Sequence, residues 1–514
     1  MYPGDVAAQF PDRPAMVEAE SGRTVTYAEL DDRSARLATL LRARGVRPGD
    51  TVLVLLDNDV RWGEVAWACW RTGLYLGAVN RHFGVDELVP VVEDAAPAVV
   101  VATMAITAAV RPGLIERGLL ADVPWLVLDG GGSDLAEDYE TALASVTRAP
   151  DLVETAGGRL LFSSGTTGRS KPFRVHPQPV HPRDLPLRSG SLMRDLGSDD
   201  SGNVLLVAGP AYHAGPLGFL QQLHQLGGTV VLMRRFDAEA ALAAIERHGV
   251  THSQWVPTMF VRLLRLPEEV RGRYDLSTHR VAVHGAAPCA PAVKQAVMDW
   301  WGPIVHEYFG ASEGYGRTSI GPREWLAHPG SVGRGVGSTV HVTDEAGRPL
   351  PAGEVGVVWF AAEGADTPAR GPDGAADLAG TRGWGTTGDL GRLDEDGYLY
   401  LTGRSSQLII SGGVNVYPRE AEDVLIGHPA VDDVAVLGVP DEEFGEQVKA
   451  VVVATAGVRA DEALAAELVD WCRARLAHYK CPRSVDFVDA LPRSDAGKVR
   501  LPELRARYWD RVPG

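Results

Sequence analysis

Short β-rich apolar runs alternate with stretches of helical periodicity along most of this chain, and that alternation narrows the possible folds more than any other feature. The runs are AVVVAT at 98–103, WLVLD at 125–129, RLLFSS at 159–164, NVLLVAG at 203–209, TVVLM at 229–233, RVAVHG at 280–285 and PIVHEYFG at 303–310. Stretches 27–45 and 236–249 place apolar residues at helical spacing and stop at Gly45 and Gly249, residues on which helices readily end. Strands separated by amphipathic helices predict an α/β fold, with helices packed on sheets. At 514 residues the chain exceeds one compact core, so a large multi-subdomain N-terminal α/β region and a smaller domain are expected.

The texture changes past residue 362. Residues 363–383 are rich in Gly, Ala, Asp and Pro without a period and predict a surface loop. Residues 390–404 read as a hairpin turning at Asp396-Gly397, 434–455 as two strands with their connection, and 460–479 as an amphipathic helix. A small α+β domain is therefore expected, dividing the chain into 1–404 and 405–514 with a hinge near Gln407. No fixed-period repeat is visible.

Several function classes recede on composition. No run of eighteen apolar residues could span a bilayer, and the N-terminus lacks the basic start and apolar core of a secretory signal, so a cytoplasmic address without membrane insertion is expected. Cys69, Cys289, Cys472 and Cys481 show no zinc or disulfide spacing and fit a reducing compartment. A net charge of -17 opposes nucleic acid as a partner. His176 and His181 lie in a Pro-rich stretch and are expected to be exposed.

The segment RLLFSSGTTGRSK at 159–171 runs an apolar strand into hydroxyls and glycines and ends on Lys171. It can present backbone N–H groups, the hydroxyls of Ser163, Ser164, Thr166 and Thr167, and a cation to a phosphate chain. Only two residues separate Gly165 from Gly168, so it lacks the four-residue spacing of the P-loop. Taken alone, phosphate cradle and plain polar turn stay equally open. There follow, in order, PAYHAG at 210–215, GAAP at 285–288, HEYFGASEG at 306–314, TGDLG at 387–391, GRSSQLIISGGVNVYPREAE at 403–422 and LPRSDAGK at 491–498. Together with TYAELDDRSARLATLLRARGVRPGD at 26–50, this series resembles the adenylate-forming superfamily over nearly the whole chain, and most of all its acyl-CoA synthetases.

The resemblance implies that ATP, Mg²⁺ and coenzyme A convert a carboxylic acid into a thioester through acyl-AMP, with a mobile C-terminal domain. It implies that Glu313 helps hold Mg²⁺, that Ser312 offers its hydroxyl to the α-phosphate, and that Lys498 bridges carboxylate and phosphate oxygens. Asp389 would accept hydrogen bonds from both ribose hydroxyls, a task suited to a carboxylate, with Arg404 as its cationic companion. Gly285, Ala286 and Ala287 would lie against adenine, within a nucleotide site that includes Glu307, Tyr308, Phe309 and Gly310. Tyr308 is a candidate stacking face, with core packing at a strand end the competing account. His213 would gate the acyl site, whose pocket would draw on Gly215, Gly218, Trp255, Gly285 and Gly310. Ser411, Gly412 and Gly413 would meet the coenzyme A arm, glycine leaving room beside the backbone.

This chain departs from the family where the loop reads Ser170-Lys171-Pro172 instead of Pro-Lys-Gly. Proline has no N–H to donate and drives Lys171 toward an extended backbone. Two outcomes stay open. The adenylation half is impaired, leaving thioesterification of an acyl-adenylate from a separate adenylating ligase, or the change is compensated nearby. Ser406 and Gln407 also stand where the family commonly has a lysine or acidic residue. A stand-alone adenylation enzyme loading a carrier protein is the alternative function. The resemblance of 284–314 is greatest to synthetases for lipophilic acids, fatty, steroidal or natural-product.

Overall fold

The computed structural model describes residues 1–130, 136–163, 171–185, 192–198, 202–310, 314–362, 384–386, 388–404, 407–412, 414–441, 443–494 and 497–509, excepting the side chains of Ser163, Lys171 and Ala362. Two compact units are present, one formed by Met1–Gln254 with Leu266–Val281 and the other by Trp255–Arg265 with Ala282–Gly514. The expected strands and helices appear in the expected order, and the α/β layering follows from their packing.

In the first unit a seven-stranded sheet runs in the order Glu137–Asp138, Trp125–Val127, Pro97–Ala102, Thr51–Leu55, Tyr75–Ala78, Gly158–Ser163 and Lys171–Val175. Its pairings are parallel except the last, which is antiparallel and places Phe162 opposite Pro172 and Ser163 opposite Lys171. Thr51–Leu55 is buried throughout, as a central parallel strand must be. Strands His252–Trp255, Val204–Val207, Thr229–Leu232, Pro14–Glu18 and Thr24–Thr26 line up in a second sheet. The helix Tyr27–Ala43 begins in a capping box, with the Glu29 N–H donating to the Thr26 hydroxyl at 3.2 Å and the Thr26 N–H to Glu29 Oε2 at 2.8 Å. It buries Leu30, Leu37 and Leu41, each worth about 1.5–3 kcal/mol in transfer.

The second unit carries Val281–His284 beside Val305–Gly310 in parallel, then Arg317–Ile320 and Arg334–Gly335 antiparallel. A five-stranded antiparallel sheet follows, including Gly356–Ala362, Asp389–Leu393 and Leu399–Arg404. The hairpin expected at Asp396-Gly397 is present, closed by the Asp394 N–H donating to Tyr398 O at 3.0 Å. The C-terminal domain packs the helices Pro418–Leu425 and Glu462–Arg473 on a sheet whose long pair is Val431–Asp441 and Gly445–Ala454. Residues 363–383, read as a surface loop, lie outside the described residues. Among the described residues no helix is long and apolar enough to cross a membrane.

One acid in the C-terminal domain ties stability to pH. Glu422 Oε1 accepts the Val436 N–H at 2.9 Å, and burial pushes its carboxyl from 4.5 up to about 7. Folding therefore takes up a proton between those values, and the stability this group contributes declines as pH rises through that window. Glu422→Gln keeps an acceptor for Val436 and removes the buried charge. It is expected to raise stability by about 1–2 kcal/mol at pH 8 and by little near pH 4.5. Thermal unfolding at the two pH values checks this, and equal shifts at both would contradict it.

Candidate active site

Both compact units carry candidate residues. In the first, the strands Gly158–Ser163 and Lys171–Val175 bring Ser163 and Lys171 opposite one another on the backbone, so the two ends of the glycine- and hydroxyl-rich segment are adjacent. Ser164, Gly165, Thr166, Thr167 and Gly168 lie outside the described residues, as do the side chains of Ser163 and Lys171. Pro172 continues the extended backbone expected of its neighbourhood. It sits on the edge strand of the sheet, a position that tolerates a residue without an N–H.

His213 is the residue immediately before the helix Ala214–Gln225, and its ring lies 4.5 Å from that of Tyr212. The segment leading to it is fixed by Asn58, a residue that the motif reading missed. Asn58 donates to Gly209 O at 3.0 Å and Met233 O at 2.8 Å and accepts the Ala211 N–H at 2.8 Å, so its buried amide is used at both ends. An isolated asparagine after an apolar strand carries no signal by which it could have been found. Gly215 lies in the first turn of this helix. Gly218 follows one turn on, and a Cβ there would come within 3.4 Å of the Arg159 guanidinium, so a cation borders the small-residue face. His181, expected exposed, is instead partly buried and 2.9 Å from Glu154, while exposed His176 lies 2.5 Å from the Tyr75 hydroxyl.

In the second unit Gly285 follows the strand Val281–His284, and Ala286 takes a positive φ of 68°. A Cβ on Gly285 would stand 2.8 Å from the Tyr308 ring and 2.9 Å from its carbonyl oxygen. The Tyr308 ring therefore occupies the space that the absent side chain leaves, and burial pushes its hydroxyl up to about 12. Phe309 packs against Phe360 at 5.9 Å between centroids, and Gly310 approaches Gly316 O so closely that a Cβ would lie at 3.1 Å. Ala287 stands beside Ala286 at the same strand end. Trp255 is fully buried in an aromatic cluster with Phe260 at 6.1 Å and Trp301 at 5.6 Å.

Glu307, expected in the nucleotide site, directs its carboxylate into the interior. Lys294 Nζ donates to Glu307 Oε2 at 2.8 Å, and Lys294 and Glu307 are 1% and 6% exposed, which leaves the acid no open face. Burial opposes ionisation of Glu307, but the positive charge around it, with the Lys294 ammonium the fixed part, holds its carboxyl below the ordinary value. His284 lies 3.5 Å from the same oxygen, and burial pushes its imidazole down to about 4, so it is neutral near pH 7. Lys294 also stands 4.9 Å from the Trp325 ring. Its sequence context, PAVKQAVMDWW, gives it the look of an ordinary helix-surface lysine, which is why it was missed.

Asp389 and Arg404 face one another across antiparallel strands, with Arg404 Nε donating to Asp389 Oδ1 at 3.1 Å. Asp389 is 7% exposed, while the Arg404 side chain is 42% exposed. The pair thus presents an oriented carboxylate beside a half-exposed guanidinium, group types that suit a ribose and its phosphate. Lys498 is exposed on a turn of the C-terminal domain. Ser411 pairs with Val414 across a hairpin. At Gly412, φ is 58° and a Cβ would stand 2.9 Å from the Phe444 ring, so turn geometry and packing require glycine there. Ser312, Glu313 and Gly413 lie outside the described residues.

The model of the AMP-binding enzyme family matches residues 5–365, and that of the AMP-binding enzyme C-terminal domain matches residues 420–498. A feruloyl-CoA synthase from Amycolatopsis sp is 34% identical over 95% of this chain and 94% of its own length. The fatty acid–[acyl-carrier-protein] ligase ScoC of Streptomyces coeruleorubidus is 32% identical over 95% of this chain and 92% of its own. The crystal structure of ATP-bound MatB from Rhodopseudomonas palustris superposes with a TM-score of 0.80 at 30% identity, covering 99% of both chains.

The buried pair beneath the Tyr308 segment can be tested directly. Lys294→Met strands Glu307 without its cation and is expected to lower stability by about 3–5 kcal/mol. Lys294→Met combined with Glu307→Leu should recover most of that loss in denaturant unfolding. A double variant as unstable as the single one would contradict this account.

Proposed function

The chain belongs to the AMP-binding enzyme family, and from that premise we infer that it is an AMP-forming ligase joining a lipophilic carboxylic acid to coenzyme A through acyl-AMP. The observation that carries the reading is the Asp389–Arg404 pair, a nearly buried carboxylate held in register beside an accessible guanidinium. Asp389 would bind the ribose, and Arg404 would orient the nucleotide end of the adenylate. Lys498 would bring its ammonium to the oxygens on which charge accumulates as the acid attacks the α-phosphorus. Ser312 and the hydroxyl-rich segment from Ser163 to Lys171 would hold the phosphates.

Mg²⁺ commonly takes one or two carboxylates and completes its octahedron with phosphate oxygens and water, and Glu313 is the carboxylate we assign to it. When bound, the ion would neutralise phosphate charge. After adenylation the C-terminal domain, 405–514, would turn about a hinge near Gln407, withdrawing Lys498 and bringing the Ser411–Gly413 segment to the thiol. The four cysteines are free and buried, in keeping with a reducing, cytoplasmic setting.

Pro172 stands in a sheet margin that tolerates the missing N–H, so it leaves the strand pairing intact, and both a complete two-step reaction and an impaired adenylation half stay as readings that Pro172→Gly separates. Feruloyl-CoA synthase as a relative supports coenzyme A as acceptor, and ScoC keeps a carrier-protein thiol as the second reading. Gly215 and Gly218 would leave a roomy acyl pocket, while the Arg159 guanidinium beside Gly218 adds a polar wall.

A panel of dodecanoic, ferulic and polycyclic steroid-derived acids, each assayed with ATP and coenzyme A and with ATP and a carrier protein, tests the function. Coenzyme A thioester is expected with at least one of them, with ATP-dependent pyrophosphate exchange. Exchange absent for wild type but restored in Pro172→Gly would show that the proline impairs adenylation. Asp389→Ala is expected to lower kcat/KM on the order of 10²-fold by losing nucleotide orientation, and near-normal activity would overturn its assignment.

A further inference from the structure

Lys498 stands on a turn whose backbone is closely bonded. The Arg500 N–H donates to Pro492 O at 2.7 Å, the Ser494 N–H to Lys498 O at 2.7 Å and the Gly497 N–H to Ser494 O at 2.8 Å. The Lys498 N–H adds a bond to Ser494 Oγ at 3.2 Å. These bonds tie Gly497, Lys498 and Arg500 to Pro492 and Ser494, so the aim of the lysine depends on what ties this stretch to the domain beneath.

That tie is Arg493. Its Nε donates to Asp433 Oδ2 at 2.6 Å and its Nη2 lies 2.5 Å from Asp433 Oδ1, a two-point grip on the long strand Val431–Asp441. Its Nη1 donates to the carbonyl of Gly497, the residue immediately before Lys498. One planar guanidinium thus joins the sheet to the peptide that carries the lysine, and the fork geometry permits both contacts at once.

Both objects in that grip also meet the helix Pro257–Leu264. A Cβ on Gly497 would lie 2.9 Å from Thr258 Oγ1, in the first turn of the helix. At its other end Arg265 donates to Val431 O at 2.5 Å and pairs with Asp432, the residue before Asp433. Arg493 therefore holds the lysine turn in register with the strand end through which the domain meets this helix. Nothing in the motif reading singled it out, although it sits within LPRSDAGK, five residues before Lys498.

We propose that Arg493 is a positioning residue for adenylation, aiming Lys498 by clamping Gly497 to Asp433. The inference rests on the reading that Lys498 serves the first half-reaction. Arg493 acts through Lys498, and its own charge is engaged by Asp433.

The test uses the full chain and the acid that wild type accepts best. Pyrophosphate exchange and thioester formation from synthetic acyl-AMP are measured separately, with thermal unfolding as a check on folding. In Arg493→Ala, kcat for exchange is expected to fall on the order of 10²-fold with KM for ATP within about twofold, as a misaimed group predicts. Thioester formation from acyl-AMP should stay within about twofold. Arg493→Lys should not restore exchange, because a single ammonium cannot hold both partners. Arg493→Ala combined with Lys498→Ala should be no slower in exchange than Lys498→Ala alone. Asp433→Asn breaks the clamp from its other side and reproduces the exchange defect should Arg493→Ala fail to fold.

Restoration by Arg493→Lys, equal losses in the two half-reactions, or normal exchange in folded Arg493→Ala would each overturn the proposal. Normal exchange in Lys498→Ala would instead overturn the underlying reading of the lysine, so the two failures are distinguishable.

Discussion

Asp389 and Arg404 oppose one another at the open end of an antiparallel hairpin, and the functional reading of the second unit depends on that pairing. Register alone brings the side chains together, since residues directly opposite in such a ladder are close neighbours. One member is almost buried and the other half-exposed, so the acid is held still while the guanidinium can meet a ligand. Arg404 also ends the strand that leads toward the C-terminal domain. The pair we assign to the nucleotide thus adjoins the point about which the domain would turn.

Around this pair, conformational freedom is removed by packing. The Tyr308 ring fills the space that Gly285 leaves open, and the strand carrying Tyr308 is anchored from below by Lys294 on Glu307. A buried ion pair of this kind is weak evidence for stability, since desolvation offsets attraction, but removing one member is severe. The helix Pro291–Trp301 and the strand Val305–Gly310 are in this way held in one relation. We read that as support for an adenine shelf at Gly285, Ala286 and Ala287. The C-terminal domain uses the same device at its surface, where Arg493 joins Asp433 to the lysine turn.

Local signals made much of the architecture legible. The helical spacing of 27–45, 236–249 and 460–479 matches the helices Tyr27–Ala43, Ala238–His248 and Glu462–Arg473, and Asp396-Gly397 turns the anticipated hairpin. Asp389 and Arg404, named from separate motifs, meet directly. Less legible were residues whose role depends on tertiary pairing. Lys294 looks like a surface lysine until the partner strand supplies Glu307, and the edge-strand place of Pro172 is likewise visible only in the sheet. Glycines carry a second reason that the motifs did not show. At Gly285 and Gly412 the rings of Tyr308 and Phe444 take the side-chain space, a packing demand that sequence alone does not reveal and that stands beside the ligand roles assigned to them. Ser312, Glu313 and the centre of the hydroxyl-rich segment fall outside the described residues and stand on the resemblance.

The central claim is that the Asp389 carboxylate receives the ribose of an acyl-adenylate. A crystal structure with an acyl sulfamoyl-adenosine, a stable mimic of that adenylate, tests it most directly. Both ribose hydroxyls are expected to donate to Asp389, with the Arg404 guanidinium beside the same sugar. A ribose bound away from Asp389, or failure of the mimic to bind in solution and in the crystal, would contradict the account.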